Sequence, residues 1–118
     1  MNNEPLLNLG GRLKIAPKNI RLLKAEINYT KVHLDDGSTL LSSITLGILE
    51  KRLQDFPFFR PNRSVLINLD YVVDFETASA QIKMENNETF KISRRRTKRF
   101  YTISNPKTED QESADLSW

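Results

Sequence analysis

With 118 residues, 38% of them hydrophobic, the chain is long enough for one modest core and too short to divide into two full domains. Lysine and arginine outnumber the acidic residues by 18 to 15, but the last twelve residues hold one lysine against four carboxylates, which leaves +6 on the first 106. The absence of cysteine excludes disulfides and thiolate metal sites, and the basic body points to an acidic partner, either nucleic acid or an anionic membrane surface.

Along the chain the β signal dominates. NIRLLKAEI and YTKVHL read as strands, and Asp36-Gly37 in the following DDGSTLL marks a hairpin turn. TLGILEKRLQDF carries the helix period: Leu46, Leu49 and Leu53 form an apolar stripe, with Glu50, Lys51 and Gln54 on the far side. Ser43 or Thr45 is placed to cap this helix and Pro57 to stop it. Phe56, Phe58 and Phe59 read as core and helix-packing residues. VLINLDYVVDF returns to strand, with Asn68 read as a structural turn residue.

A second hairpin follows. Ile82 and Met84, then Phe90 and Ile92, alternate with polar residues around ENNE. A three-residue loop from Asn86 to Glu88 sets Met84 opposite Phe90 and Ile82 opposite Ile92, with all four on one face. Ser93 is then a candidate N-cap for a short helix or turn in RRRTKRFYTI. The folded domain is expected over residues 1–106, and 107–118 read as an acidic disordered tail.

The catalytic inventory is thin. His33 is the sole histidine and sits in an alternating strand, where it reads as a surface residue. Asp35 and Asp36 precede Gly37 and Ser38, so turn chemistry accounts for them. No Gly-rich phosphate loop or metal-ligand cluster is present, so neither enzymatic activity nor a cofactor is expected. No apolar run approaches the roughly 18 residues of a spanning helix, and MNNEPLLNLGG lacks a signal-peptide start. A cytoplasmic protein without membrane contact is the default expectation.

Positive charge, in contrast, gathers in three places. Lys24 and Lys31 flank a strand break containing Asn28 and Tyr29. Arg60 and Arg63 flank Pro61-Asn62. Lys91, Arg94, Arg95, Arg96, Lys98 and Arg99 crowd into KISRRRTKR. A solvated face is served by lysine or arginine alike, whereas the planar guanidinium fork suits phosphates and the guanine edge. An exposed basic helix end would also explain the last cluster taken alone.

The ordered set of segments resembles the LytTR DNA-binding domain of bacterial transcription regulators, over roughly residues 12–101. The resemblance rests on Phe59-Arg60-Pro61-Asn62-Arg63-Ser64, an apolar run ending in Asn68-Leu69, and Ser93-Arg94-Arg95 downstream. It implies a mainly β fold: an elongated stack of small antiparallel sheets, one α-helix between them and a short C-terminal helical turn. It also implies loops inserted into successive major grooves of double-stranded DNA. Carried over by position, Asn28, Arg63 and Arg95 would read bases. Lys31, Arg60, Asn62, Ser64, Arg94, Arg96 and Lys98 would hold the backbone or support the readers. The chain departs from the family pattern at Asn62, where many members have histidine, and at Val65, where many have a larger aromatic. No receiver domain accompanies the motif, which fits a stand-alone regulator or an isolated domain.

The leading expectation is therefore sequence-specific duplex binding by a transcription regulator, monomeric in solution with two copies on direct repeats. The alternatives are a protein-interaction or sensory adaptor domain of the same fold without tight DNA binding, and a single-strand or RNA binder. The last requires aromatics interleaved with cations on one sheet face.

Overall fold

The computed structural model describes residues 5–97 and 99. It is mainly β: the described residues hold ten short strands in three antiparallel sheets, one complete α-helix and a helical turn at 94–97, and measure 47 × 35 × 24 Å. Strands β3 (Ile20–Ala25), β4 (Thr30–Leu34), β5 (Thr39–Ser42), β6 (Phe58–Asn62) and β7 (Val65–Asn68) form the central sheet in the order β5-β4-β3-β7-β6. A ribbon of β1 (Leu7–Asn8) and β2 (Lys14–Ile15) and a meander of β8 (Val72–Glu76), β9 (Gln81–Met84) and β10 (Thr89–Lys91) complete the sheets. The helix, α1 (Leu46–Arg52), falls between β5 and β6 in the chain.

Period-two alternation explains how one sheet serves two cores. On β3 and β7, Leu23 and Leu66 point to one face, where Leu46, Leu49 and Leu53 of the helical stripe and Leu7 and Leu9 of the ribbon cover them. Leu22 and Ile67 point to the other face and meet Ile82, Met84 and Ile92 from the meander. A β-bulge between Ile20 and Leu22 lets Ile20 join Leu23 in the first cluster. The three phenylalanines sit as expected: Phe59 is buried, and Phe56 and Phe58 pack against the helical cluster.

Three local expectations are corrected. The helix ends at Arg52 rather than running to Pro57. Leu53 caps it, and its N–H is shared among the carbonyls of Leu49, Glu50 and Lys51 before a turn through 53–55. Asp55 is a weak helix former, and the residue before a proline, here Phe56, is disfavoured in helical geometry. Thr45 holds the N-cap position without a side-chain bond.

The strand over VLINLDYVVDF is also interrupted. Asn68 accepts from Asp70 N–H and donates to Ile20 O, and a 3-10 turn at Leu69–Tyr71 carries the chain from one sheet to the other. A buried amide satisfied on both sides is the turn residue expected of Asn68.

Finally, the second hairpin pairs differently: Phe90 lies opposite Ile82, and Met84 bonds to Glu88. Its loop is Glu85 to Asn87, because Asn87 takes the left-handed position at φ 71°. The shift moves every cross-strand partner by two residues, which preserves the face. Ile82, Met84, Phe90 and Ile92 all join the second cluster.

The β1–β2 ribbon had no counterpart in the sequence reading. It turns at Gly10-Gly11, both at positive φ, and a side chain at Gly10 would press to 3.1 Å from Ser43 Oγ.

Candidate nucleic-acid interface

Sheet register brings the three basic places to one end of the molecule. The first loop, residues 26–29, closes the β3–β4 hairpin through a bond from Glu26 N–H to Tyr29 O. The second is the two-residue turn Arg63-Ser64 between β6 and β7. Because β3 pairs with β7, Ala25 N–H donates to Ser64 O at 2.8 Å, and the two loops lie side by side. The third, Ser93 to Arg95, leads into a helical turn over 94–97 and is tied to β6 by Ser93 N–H to Pro61 O at 2.8 Å. Asn62, Arg63, Ser64, Ser93, Arg95 and Arg96 line one open groove of about 580 Å³ between the second and third loops.

The side chains at the proposed reading positions are free among the described residues, as are those of Lys31, Ser64, Arg94 and Arg96. Among the described residues, the side chains of Asn28, Arg63 and Arg95 are exposed and make no hydrogen bond or ion pair. Arg94 is likewise exposed, Ser64 stands exposed beside Arg63, and Lys31 is half-buried on β4. Tyr29 is exposed at 40%, so it is not part of the core. Lys98 and the tail from residue 107 lie outside the described residues.

Two neighbours of Arg63 are spent on holding the loops. Asn62 Oδ1 accepts from Ser64 N–H at 2.9 Å, while its Nδ2 donates to Lys91 O at 2.9 Å, which joins the second loop to the strand leading into the third. Neither Arg63 nor Ser64 adopts positive φ, so this side-chain brace takes the place of the left-handed residues common in two-residue hairpins. Arg60 donates through Nη1 to Glu50 Oε1 at 2.9 Å and through Nη2 to Arg63 O at 2.7 Å. Its fork thus spans from the helix to the turn. Burial, followed by the charge of Arg60, lowers the Arg96 pKa from the ordinary arginine value, partly opposed by Glu50.

The cations of the first place divide in the same way. Lys24 is paired with Glu88 at 2.8 Å and lies 5.5 Å from the Phe90 ring, so it clamps the meander to the central sheet. Burial raises the Glu88 carboxyl, but bonds from Lys24 and Asn86 outweigh this and hold it below its ordinary value. His33, half-buried, is held below its ordinary pKa by burial and then by Lys24. It stays neutral at physiological pH and adds no charge to the interface.

What this end of the molecule presents is the exposed, unpaired guanidinium groups of Arg63, Arg94 and Arg95 and the free carboxamide of Asn28 at the tips of adjacent loops. Guanidinium donors match the guanine edge in the major groove, and a carboxamide, which both donates and accepts, matches the adenine edge. Among the described residues, no helix is long and apolar enough to cross a membrane.

Comparison with known proteins agrees with this fold. The family model described as LytTr DNA-binding domain matches residues 10–105. The sensory transduction protein LytT of Oceanobacillus iheyensis is 31% identical over 68 residues, which cover 57% of this chain and 28% of that protein. The chain therefore spans just over a quarter of that relative's length. A solved LytTr DNA-binding domain from Bacillus cereus superposes with a TM-score of 0.65 at 20% identity, covering 83% of this chain and 94% of that one.

Proposed function

The chain belongs to the LytTr DNA-binding domain family, and on that premise we propose that it binds double-stranded DNA sequence-specifically as part of a transcription regulator. Its three loops enter successive major grooves. Asn28, Arg63 and Arg95 read bases, and Lys31, Ser64, Arg94 and Arg96 face the phosphates. The observation that carries this reading is the sorting of side chains at one end of the sheet: those at the reading positions are unpaired, while Asn62 and Arg60 are tied into the scaffold. Two such domains, each monomeric alone, would occupy direct repeats.

The expected test result is a steep salt dependence. If about six phosphates are neutralised, log affinity for duplex falls against log salt with a slope near −5, at roughly −0.9 per phosphate. Titrating duplex and single strand at several salt concentrations measures it. A flat response, or equal preference for single strand, would remove duplex DNA as the natural ligand.

Arg60 gives a second test, because support and anchoring predict different outcomes for a charge-conserving change. A lysine keeps the charge but lacks the planar fork that reaches Glu50 and the Arg63 carbonyl together. Arg60→Lys is expected to weaken binding to the preferred duplex by about fivefold, the worth of roughly one hydrogen bond, with the salt slope unchanged. Near-normal affinity in Arg60→Lys, with a slope flattened by about one in Arg60→Ala, would instead make Arg60 a phosphate contact.

A further inference from the structure

Ile27 is 96% exposed at the tip of the first loop, whereas no other large hydrophobic among the described residues exceeds 59%. Hairpin loops ordinarily carry glycine, asparagine, aspartate or serine, and neither the turn nor the core asks for a β-branched aliphatic here. The loop has no positive-φ residue, and its closing bond is made by the backbone of Glu26 and Tyr29. Ile27 directly precedes Asn28, and the Ser64 carbonyl bonds the strand that leads into it. It is thus an apolar tip beside free donors, on the same end as Arg63 and Arg95.

A major groove offers such a tip one apolar complement. Its floor presents donors and acceptors at every base pair, and the only methyl is the C5-methyl of thymine. We propose that Ile27 is a specificity-determining residue that packs against a thymine methyl next to the base read by Asn28. This inference rests on the duplex-binding reading above and adds to it a base identity and the chemical group recognised. Burying one methyl-sized group against an aliphatic side chain corresponds to about a fourfold change in affinity.

The experiment uses the full chain and a duplex enriched from a random library, with each thymine replaced in turn by deoxyuridine, which deletes only the methyl. The wild type is expected to lose about fourfold at one or two adjacent positions and nothing elsewhere. Ile27→Ala should bind the thymine duplex about as weakly as the wild type binds the deoxyuridine duplex, and should no longer distinguish the two. Ile27→Val should retain part of the difference. Unchanged thermal melting of both variants shows that the fold is intact.

A wild-type scan flat at every thymine overturns the proposal. If Ile27→Ala still weakens binding against that flat scan, the side chain wedges between base steps instead. A methyl effect that persists in Ile27→Ala assigns the contact to another residue and also overturns it. Failure to enrich any duplex would defeat the duplex-binding reading itself, an outcome distinct from either of these.

Discussion

Arg63→Ala and Arg95→Ala are each expected to weaken binding to the preferred duplex by roughly 5- to 150-fold, the equivalent of 1–3 kcal/mol for a bidentate arginine–guanine contact. Random duplex should be affected much less, because only one charge is lost from the shared electrostatic attraction. Both side chains are exposed and unpaired among the described residues, so stability should change by less than about 0.5 kcal/mol. Competition binding with preferred and scrambled duplexes, alongside urea denaturation of each variant, measures all three quantities. Proportional loss on both duplexes would mean that these arginines grip only the backbone.

Ile92→Ala should have the larger effect on the fold. Ile92 is 2% exposed and packs in the cluster that joins the meander to the central sheet, with Ile67 and Phe59 on one side and Ile82 and Met84 on the other. Removing three carbons from such a site typically costs about 2–5 kcal/mol, against 0.5–1.5 for isoleucine to valine. The next residue, Ser93, ties the third loop to β6, and Arg95 follows two positions on. A loosened Ile92 therefore unseats Arg95 as well as weakening the core. Urea midpoints should fall in the order wild type, Ile92→Val, Ile92→Ala, and duplex binding by the folded fraction of Ile92→Ala should fall too. A cost under about 1 kcal/mol would show that the third loop is held by its backbone bonds alone.

Much of the scaffold was legible because its signals are local. Asp36-Gly37 gave the first hairpin, where Gly37 sits at φ 91° and Asp36 accepts from Ser38. The leucine stripe gave the buried face of α1. The second hairpin shows the limit of such reasoning: shifting a partner by two residues leaves a period-two pattern unchanged, so the face was readable and the pairing was not. Which of two neighbouring asparagines takes the left-handed position decided it, and Asn86 and Asn87 look alike in sequence.

The site divided along the same line. Motif order located the loops, and sheet pairing then set them side by side. Arg60 and Arg63, three residues apart, carry identical side chains, yet one is engaged and the other free. The difference lies in Glu50, ten residues back on α1, whose carboxylate reaches Arg60 only once the helix has docked. No local pattern encodes that distinction. Ile27 carries no mark in the sequence, because its exposure at the loop tip is set by the fold.

The bond between Ser93 and Pro61 also bears on how the protein behaves at high concentration. β6 is an outermost strand of the central sheet, and open strand edges recruit other chains into mixed sheets and aggregates. Here Pro61 has no N–H to offer, its carbonyl is already taken by Ser93, and the Asn62 amide reaches across to the Lys91 carbonyl. The segment that delivers Arg95 thus shields the flank of the sheet against edge-to-edge pairing.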